Sequence, residues 1–482
     1  MASKRRSFAH SMAWNLAGAG IPLILAIYAI PRLLAGYGDA RFGFLTIVWT
    51  LIGYFSIFDL GLGRALTRHV ADKIGRDLHD EIPAVAATAL VCIGGLGLVT
   101  ALLLFGLAPW IVETFLSLDA RLKPESVLAM RVMAISIPMV VLSSALIGLL
   151  EAFGRFKEIN IVRLVMGIMN FAAPLAVLHW SNSLVPATLS LVVTRMVTSF
   201  IYWRLASRSA GGSLLLMPLR DHARSLLGYG GWITISNLVS PIMAQLDKVL
   251  IGAILAVAVL PIYSVPGDMI NRLSFLPVAM VSVLFPAFAK IWAVDPKAGG
   301  ALYSSASHAL LGALLPITLM LSAFAPEGMN AWMGAAFGEQ SSPLLRWLAV
   351  GFLLNAIARV PHALLQSIGR PDITAKLHLI ELPVFLAALW ACLQHFGILG
   401  AAIAWTLRMG LDMLLLQTAV CLVDHAMRAR VLRVLWLVAG ATSITAIATF
   451  IGPLWIRILL SLVVAAVCLP VALRTILSLK HA

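Results

Sequence analysis

The chain has 482 residues, of which 61% are hydrophobic and 12% charged, with a mean hydropathy of +0.97. A water-soluble protein of this size cannot cover its surface with so few charges, so the chain is an integral membrane protein. The formal net charge of +14 could suit nucleic acid, but the basic residues gather at one set of span ends, and no nucleic acid partner is expected.

A membrane-spanning helix takes about 20 apolar residues. About fourteen stretches meet that criterion: 12–35, 41–63, 82–107, 126–149, 158–180, 184–204, 225–254, 259–289, 302–325, 342–366, 374–395, 398–423, 431–451 and 454–476. The opening "MASKRRS" is basic, but the apolar run behind it, Met12 to Leu34, is too long for the core of a cleaved signal. It reads as a first span with its N-terminus in the cytoplasm. Alternate loops then carry the basic residues: Arg64, Arg68, Lys73 and Arg76 after the second span, Arg155 and Lys157 after the fourth, Arg204, Arg208, Arg220 and Arg224 after the sixth. Lys290 and Lys297, Arg370 and Lys376, and Arg428, Arg430 and Arg433 continue the series. The opposite loops clearly hold only Arg121 and Lys123, and "APEGMNAWMGAAFGEQSSP" holds no Lys or Arg. The positive-inside bias puts both termini in the cytoplasm. The cysteines, Cys92, Cys392, Cys421 and Cys468, all lie in apolar runs without metal-ligand spacing and read as small core residues.

An internal repeat organises the spans. "LLEAFGRF" at 149–156 and "LLQSIGRP" at 364–371 both close a span, the fourth and the tenth, and the Gly-Arg pair recurs at an offset of 215. Trp14 before Pro22 resembles Trp232 before Pro241, and "TRM" at 194–196 resembles "LRM" at 407–409. Such offsets, in step with span number, predict two six-helix halves, 1–210 and 211–425, with two additional helices in 426–482. Six is even, so the halves share one orientation and are related about an axis along the membrane normal. Gly-Arg at a helix exit is also an ordinary C-terminal cap with a cationic lipid anchor, a reading that does not conflict with the repeat.

A charge at mid-bilayer costs at least ~2.5–3.5 kcal/mol on insertion scales, so it usually faces protein or water. Asp268 with Arg272 and Arg408 with Asp412 stand at i,i+4, and His378 with Glu381 at i,i+3, spacings at which they can neutralise one another. Arg195, Arg163 and Arg359 have no carboxylate at those spacings on their own helices. Arg195 lies about 13 Å inside the span from Arg204, hard to snorkel, whereas Arg163 and Arg359 lie nearer the cytoplasmic end, where snorkelling is the simpler account. Arg32 sits at the outer end of the first span. The stretch "NLVSPIMAQLDKVLIG" carries Asn237, Pro241, Asp247 and Lys248; the last two are adjacent and point about 100° apart, so either lines a cavity or bridges helices. Arginines without local acids suit an anion, since a guanidinium grips phosphate with two parallel bonds and stays charged. No GxxxxGK[ST] phosphate loop occurs, so transport would draw on an ion gradient, H+ or Na+, or on the membrane potential, and no cofactor is expected.

"YGDARFGFLTIVWTLIGYFSIFDLGLGRALTRHVA", "LLGYGGWITISNLVSPIMAQLDKVLIGAIL", "YSVPGDMINRLSFLPVAMVSVLFP", "GRPDITAKLHLIELP" and "FGILGAAIAWTLRMGLDMLLL" resemble bacterial O-antigen and polysaccharide flippases. These belong to the multidrug/oligosaccharidyl-lipid/polysaccharide exporter superfamily. The resemblance covers nearly the whole chain. It implies an all-α membrane fold of two six-helix lobes in a V around a central cavity, often with two extra helices. It also implies a cargo, an undecaprenyl-pyrophosphate-linked oligosaccharide carried from the cytoplasmic to the periplasmic leaflet of the bacterial inner membrane. The cavity cations would be Arg195, Arg408, Arg163, Arg359, Lys248, Arg272 and Arg32. Asp247 and Glu381 would be coupling carboxylates, and Asp268, Asp412 and Asn237 further polar positions, with no metal and no enzymatic activity. Membrane lipids and a polysaccharide polymerase machinery would be partners. Two kinds of alternative stay open: lipid II or drug export on the same fold, and a membrane polymerase or ligase of lipid-linked glycans.

Overall fold

The computed structural model describes residues 2–55, 62–212, 214 and 246–479, and every regular element among them is a helix. Eleven helices among the described residues are long and apolar enough to cross a membrane, and each corresponds to one of the fourteen expected spans. Of the other three, the first and most of the second fall on α1 (Ala2–Phe55), helical throughout except at Gly38, where φ 75° and ψ 165° break it, and residues 56–61 of the second lie outside the described residues. The seventh lies mostly outside the described residues, apart from the helical stretch 246–254, here α8.

Contacts divide the chain into two compact units, Met1–Pro261 and Ile262–Ala482. In the first, α5 (Ile137–Ala152) packs on α2 (Leu62–Gly75), α3 (Ile82–Trp110) and α7 (Leu184–Ala210), while α6 (Phe156–Val177) packs on α7 and α1. The short α4 (Lys123–Ile135) leads into α5. In the second, α13 (Ala335–Ser367) packs on α10 (Phe275–Val294), α11 (Pro296–Ala323) and α15 (Ile398–Val423), and α14 (Pro371–Phe396) packs on α15. The short α12 (Ala325–Met333) leads into α13, the most deeply buried of the spans. The packing of α5 on α3 and α7, and of α6 on α7, recurs in the second unit as α13 on α11 and α15, and α14 on α15. The outer faces carry large exposed apolar side chains, such as Leu98, Leu102, Phe105, Leu462 and Val467, a surface suited to lipid rather than water.

The two Gly-Arg phrases fold alike. Gly154 and Gly369 both adopt positive φ, 69° and 79°, a conformation glycine takes without steric cost. Arg155 N–H bonds the Leu150 carbonyl at 2.9 Å and Gly154 N–H that of Glu151 at 3.0 Å. Arg370 N–H bonds Leu365 at 2.9 Å and Gly369 N–H bonds Gln366 at 3.1 Å. Both turns are Schellman closures with the same bonds at the same positions. Each arginine then pairs with an acid in the next helix's first turn, Arg155 with Glu158 at 3.2 Å and Arg370 with Asp372 at 3.1 Å.

The run "AVAVLP" separates two spans through an extended Ala256 (φ −159°, ψ 149°), a 3-10 turn at Val257–Val259, and then α9 (Leu260–Arg272). This junction is pinned to the first unit. Ser117 N–H bonds the Gly252 carbonyl at 3.0 Å, and Val257 N–H bonds that of Ser117 at 3.1 Å. Gly43 of α1 approaches so closely that a Cβ there would lie 2.0 Å from the Val257 carbonyl oxygen.

The last two helices, α16 (Arg428–Phe450) and α17 (Leu454–Leu479), both pack on α11. Leu319, Ala323 and Ala448 form the core of that contact. An ion pair closes it: buried Arg457 reaches Glu327 through both terminal nitrogens at 2.6 and 3.2 Å and the Ala323 carbonyl at 2.6 Å. Burial pushes the Glu327 carboxyl up, but the Arg457 bonds and charge outweigh it and hold it below the usual carboxylate range. Replacing Arg457 by Ala is expected to cost about 2 kcal/mol, measured as a lower unfolding temperature in detergent at neutral pH. A carboxylate depressed by folding stabilises above its unfolded pKa and stops doing so as pH falls through the folded one. The difference between native protein and Arg457→Ala should therefore shrink on acidification.

Candidate functional site

Three helices of the second unit each present polar residues at helical spacing: Asn355, Arg359 and His362 from α13, His378 and Glu381 from α14, Arg408 and Asp412 from α15. Spacings of three or four place each set on one helix face, and α14 packs on both α13 and α15. His378, Glu381 and Asp412 bring one ligand atom each to within 4.8 Å of one another. His378 Nε2 lies 3.7 Å from Asp412 Oδ1, and the His362 and His378 rings stack with centroids 6.1 Å apart. Arg359 donates to Asn355 Oδ1 at 3.3 Å and is close enough to interact electrostatically with Asp412. The Arg408 guanidinium sits 5.0 Å over the Phe385 ring and within electrostatic reach of Glu381. Glu381 is 1% exposed; no protein donor reaches its carboxyl oxygens, and the group they face is the Asp412 carboxyl. An ionised carboxylate in that position is costly, because burial removes water and nothing replaces its bonds.

In the first unit the comparable group is cationic. Arg195 on α7 bonds Asn170 Oδ1 of α6 at 3.1 Å and contacts the Met166 sulfur, both neutral, and its Nε is buried without a partner. Arg163 on α6 reaches Glu151 of α5 at 3.6 Å. Both arginines are close enough to act electrostatically on Tyr202. Ser199, one turn along from Arg195, bonds the Met139 carbonyl at 2.7 Å.

The structure thus gathers Arg359, Arg408, Glu381 and Asp412, and separately places Arg163 and Arg195 on adjoining helices. Arg32 folds onto its own helix, with its guanidinium 3.5 Å over the Tyr28 ring and a bond to the Tyr28 carbonyl at 2.9 Å. Asp247 and Lys248 are both buried, and Asp247 Oδ1 accepts the Lys248 backbone N–H at 2.8 Å. Arg272 and Asp268 interact electrostatically on α9. Asn237 lies outside the described residues. Sequence spacing on single helices missed two acids across helices, Asp412 for Arg359 and Glu151 for Arg163. It also left out His362, whose signal was its i,i+3 step from Arg359.

A family model for "Polysaccharide biosynthesis protein" matches residues 31–342. A Shigella flexneri protein named for O-antigen transport is 30% identical over 407 residues, covering 84% of this chain and 95% of the relative. The chain belongs to the polysaccharide biosynthesis protein family. Its fold is also that of solved transporters. The lipid II flippase MurJ in an inward closed conformation aligns with a TM-score of 0.69 at 13% identity, covering 97% of this chain and 100% of that one. An inward-facing multidrug resistance MATE transporter of the MOP superfamily aligns at 0.64 and 15% identity, covering 87% and 98%.

The burial of Glu381 beside Arg408 has a measurable sign. Glu381→Met removes the carboxyl group that faces the Arg408 guanidinium and leaves that charge with less compensation. It is therefore expected to lower stability by about 3 kcal/mol, read as a lower unfolding temperature of the detergent-solubilised protein.

Proposed function

We propose that the chain is a flippase that moves an undecaprenyl-pyrophosphate-linked oligosaccharide from the cytoplasmic to the periplasmic leaflet, in the biosynthesis of a surface polysaccharide. The observation that carries this reading is Arg195: a guanidinium within a membrane span whose hydrogen-bond partners, Asn170 and Met166, are both neutral. A charge so placed in low dielectric lacks a counter-charge, and a diphosphate offers one together with the paired acceptor geometry a guanidinium matches. The glycan cannot cross hydrocarbon unaided, and the prenyl chain need not leave it. A protein that moves such a molecule must shield the sugars and the diphosphate while leaving the lipid outside, a division of labour suited to two helical lobes opening to alternate sides.

Family membership, the relative named for O-antigen transport and the fold shared with a flippase all support transport rather than group transfer. Arg359 and Arg408 would be secondary anion contacts in the second unit, and an ion gradient or the membrane potential would drive the cycle. The distribution of basic loops supports residence in the bacterial inner membrane with both termini in the cytoplasm. A polymerase acting on the exported glycan would be the downstream partner.

The decisive test is the leaflet distribution of lipid-linked oligosaccharide in cells depleted of the protein, probed with a membrane-impermeant glycan-binding label. Cytoplasmic accumulation cured by re-expression is expected; unchanged export would remove the reading. Arg195→Ala should fail to restore export, with a loss of at least ~10-fold at unchanged protein abundance, and Arg195→Lys should restore part of it.

A further inference from the structure

Aligning the two Gly-Arg turns gives a residue-by-residue correspondence between α6 and α14 at an offset of 215, and "TRM" with "LRM" relates α7 to α15 at 213. On that register Arg163 matches His378, Met166 matches Glu381, Asn170 matches Phe385, Arg195 matches Arg408, and Ser199 matches Asp412. The contacts obey it. Arg195 touches Met166 and Asn170, whereas Arg408 interacts with Glu381 and lies over Phe385. One three-helix arrangement has been built twice, with opposite chemistry. Where the first unit has a thioether and a hydroxyl, the second has two carboxyl groups.

We propose that Glu381 and Asp412 form a proton-binding site in the second unit that takes up one proton as a carboxylic acid facing a carboxylate. The Glu381 oxygens are buried, face the Asp412 carboxyl and are reached by no protein donor, so a proton added to the pair lets one carboxyl group donate a hydrogen bond and the other accept it. A chain of polar groups leads to the site from the exposed end of α13. Gln366 Nε2 lies 3.4 Å from His362 Nε2, the His362 ring stacks on His378, and His378 Nε2 lies 3.7 Å from Asp412. In the first unit the corresponding position to Gln366 is Glu151, ion-paired with Arg163 in the place of His378, so no such chain of imidazoles exists there.

The charged groups facing the pair are Arg359 and His362 from α13, His378 from α14, and Arg408 from α15. With both acids ionised and both imidazoles neutral, two guanidiniums balance two carboxylates. One bound proton reduces the carboxylate charge from two to one and leaves Arg359 and Arg408 short of a counter-ion, which favours an anion beside them. The same two guanidiniums disfavour a divalent metal at this cluster. The control of an anionic cargo by this proton rests on the flippase reading; the protonation itself does not.

The test uses full-length protein in lipid nanodiscs and infrared difference spectra between alkaline and acidic buffer. A carboxylic acid C=O band should appear on acidification, be lost in Glu381→Gln and in Asp412→Asn, and be indifferent to exchange of sodium for potassium. A band that survives both substitutions, or that follows sodium at fixed pH, overturns the proposal. Two variants guard against one misfolding, and no glycan enters the measurement. In proteoliposomes, transport of a lipid-linked oligosaccharide should vary with pH for the native protein and lose that dependence in Glu381→Gln. A native protein with the band but no transport leaves the proton site standing and sinks the flippase reading; transport with neither band nor pH dependence does the reverse.

Discussion

Hydrocarbon offers no hydrogen bonds, and nearly every polar choice in this chain follows from that. Hydroxyls inside the spans turn back to carbonyls of their own helices: Thr46 to Phe42 at 3.0 Å, Thr88 to Ala84 at 2.8 Å, Thr445 to Ala441 at 2.9 Å. Groups too strongly charged for that remedy must find partners on other helices. Arg457 ties α17 to α12 in this way, and Arg163 ties α6 to α5. What cannot be satisfied locally becomes either a joint between helices or a place for something the helices do not themselves supply.

Arg195 and Glu381 fall in the second class: on the register of the two turns Arg195 answers to Arg408, and Glu381, which faces Arg408, answers to the Met166 that Arg195 touches. The turns that open α6 and α14 share the same backbone bonds. The side chains differ. On the register of the two Gly-Arg turns, differences at a few positions on two helices separate an arginine with neutral hydrogen-bond partners from arginines that face two carboxyl groups. The proposed anion and proton sites need no more than this, because a helix face changes charge without changing how the helix packs.

Local features were the legible ones. The eleven spans that fall on described helices and the Gly-Arg exits each depend on residues within a few positions of one another, and the structure reproduces them. The long α1, read as two spans, remains helical with one break at Gly38. Cross-helix partners were not legible. That Arg359 meets Asp412, and Arg163 meets Glu151, depends on which helices adjoin and how each is rotated, and no spacing within one helix encodes either. His378 and Glu381 were visible as a pair on α14, but the cluster they form with Asp412 required the docking of α15.

The first unit has a further property in time. Its junction at Gly252–Val257 is held by Ser117, and Gly43 leaves the room into which Val257 fits. The unit therefore cannot close when α7 ends at Ala210; some fifty more residues must leave the ribosome first. During that interval α1 and the 116–118 loop lack their final neighbour, so the earliest complete assembly in the membrane comes only after more than half of the polypeptide has been synthesised.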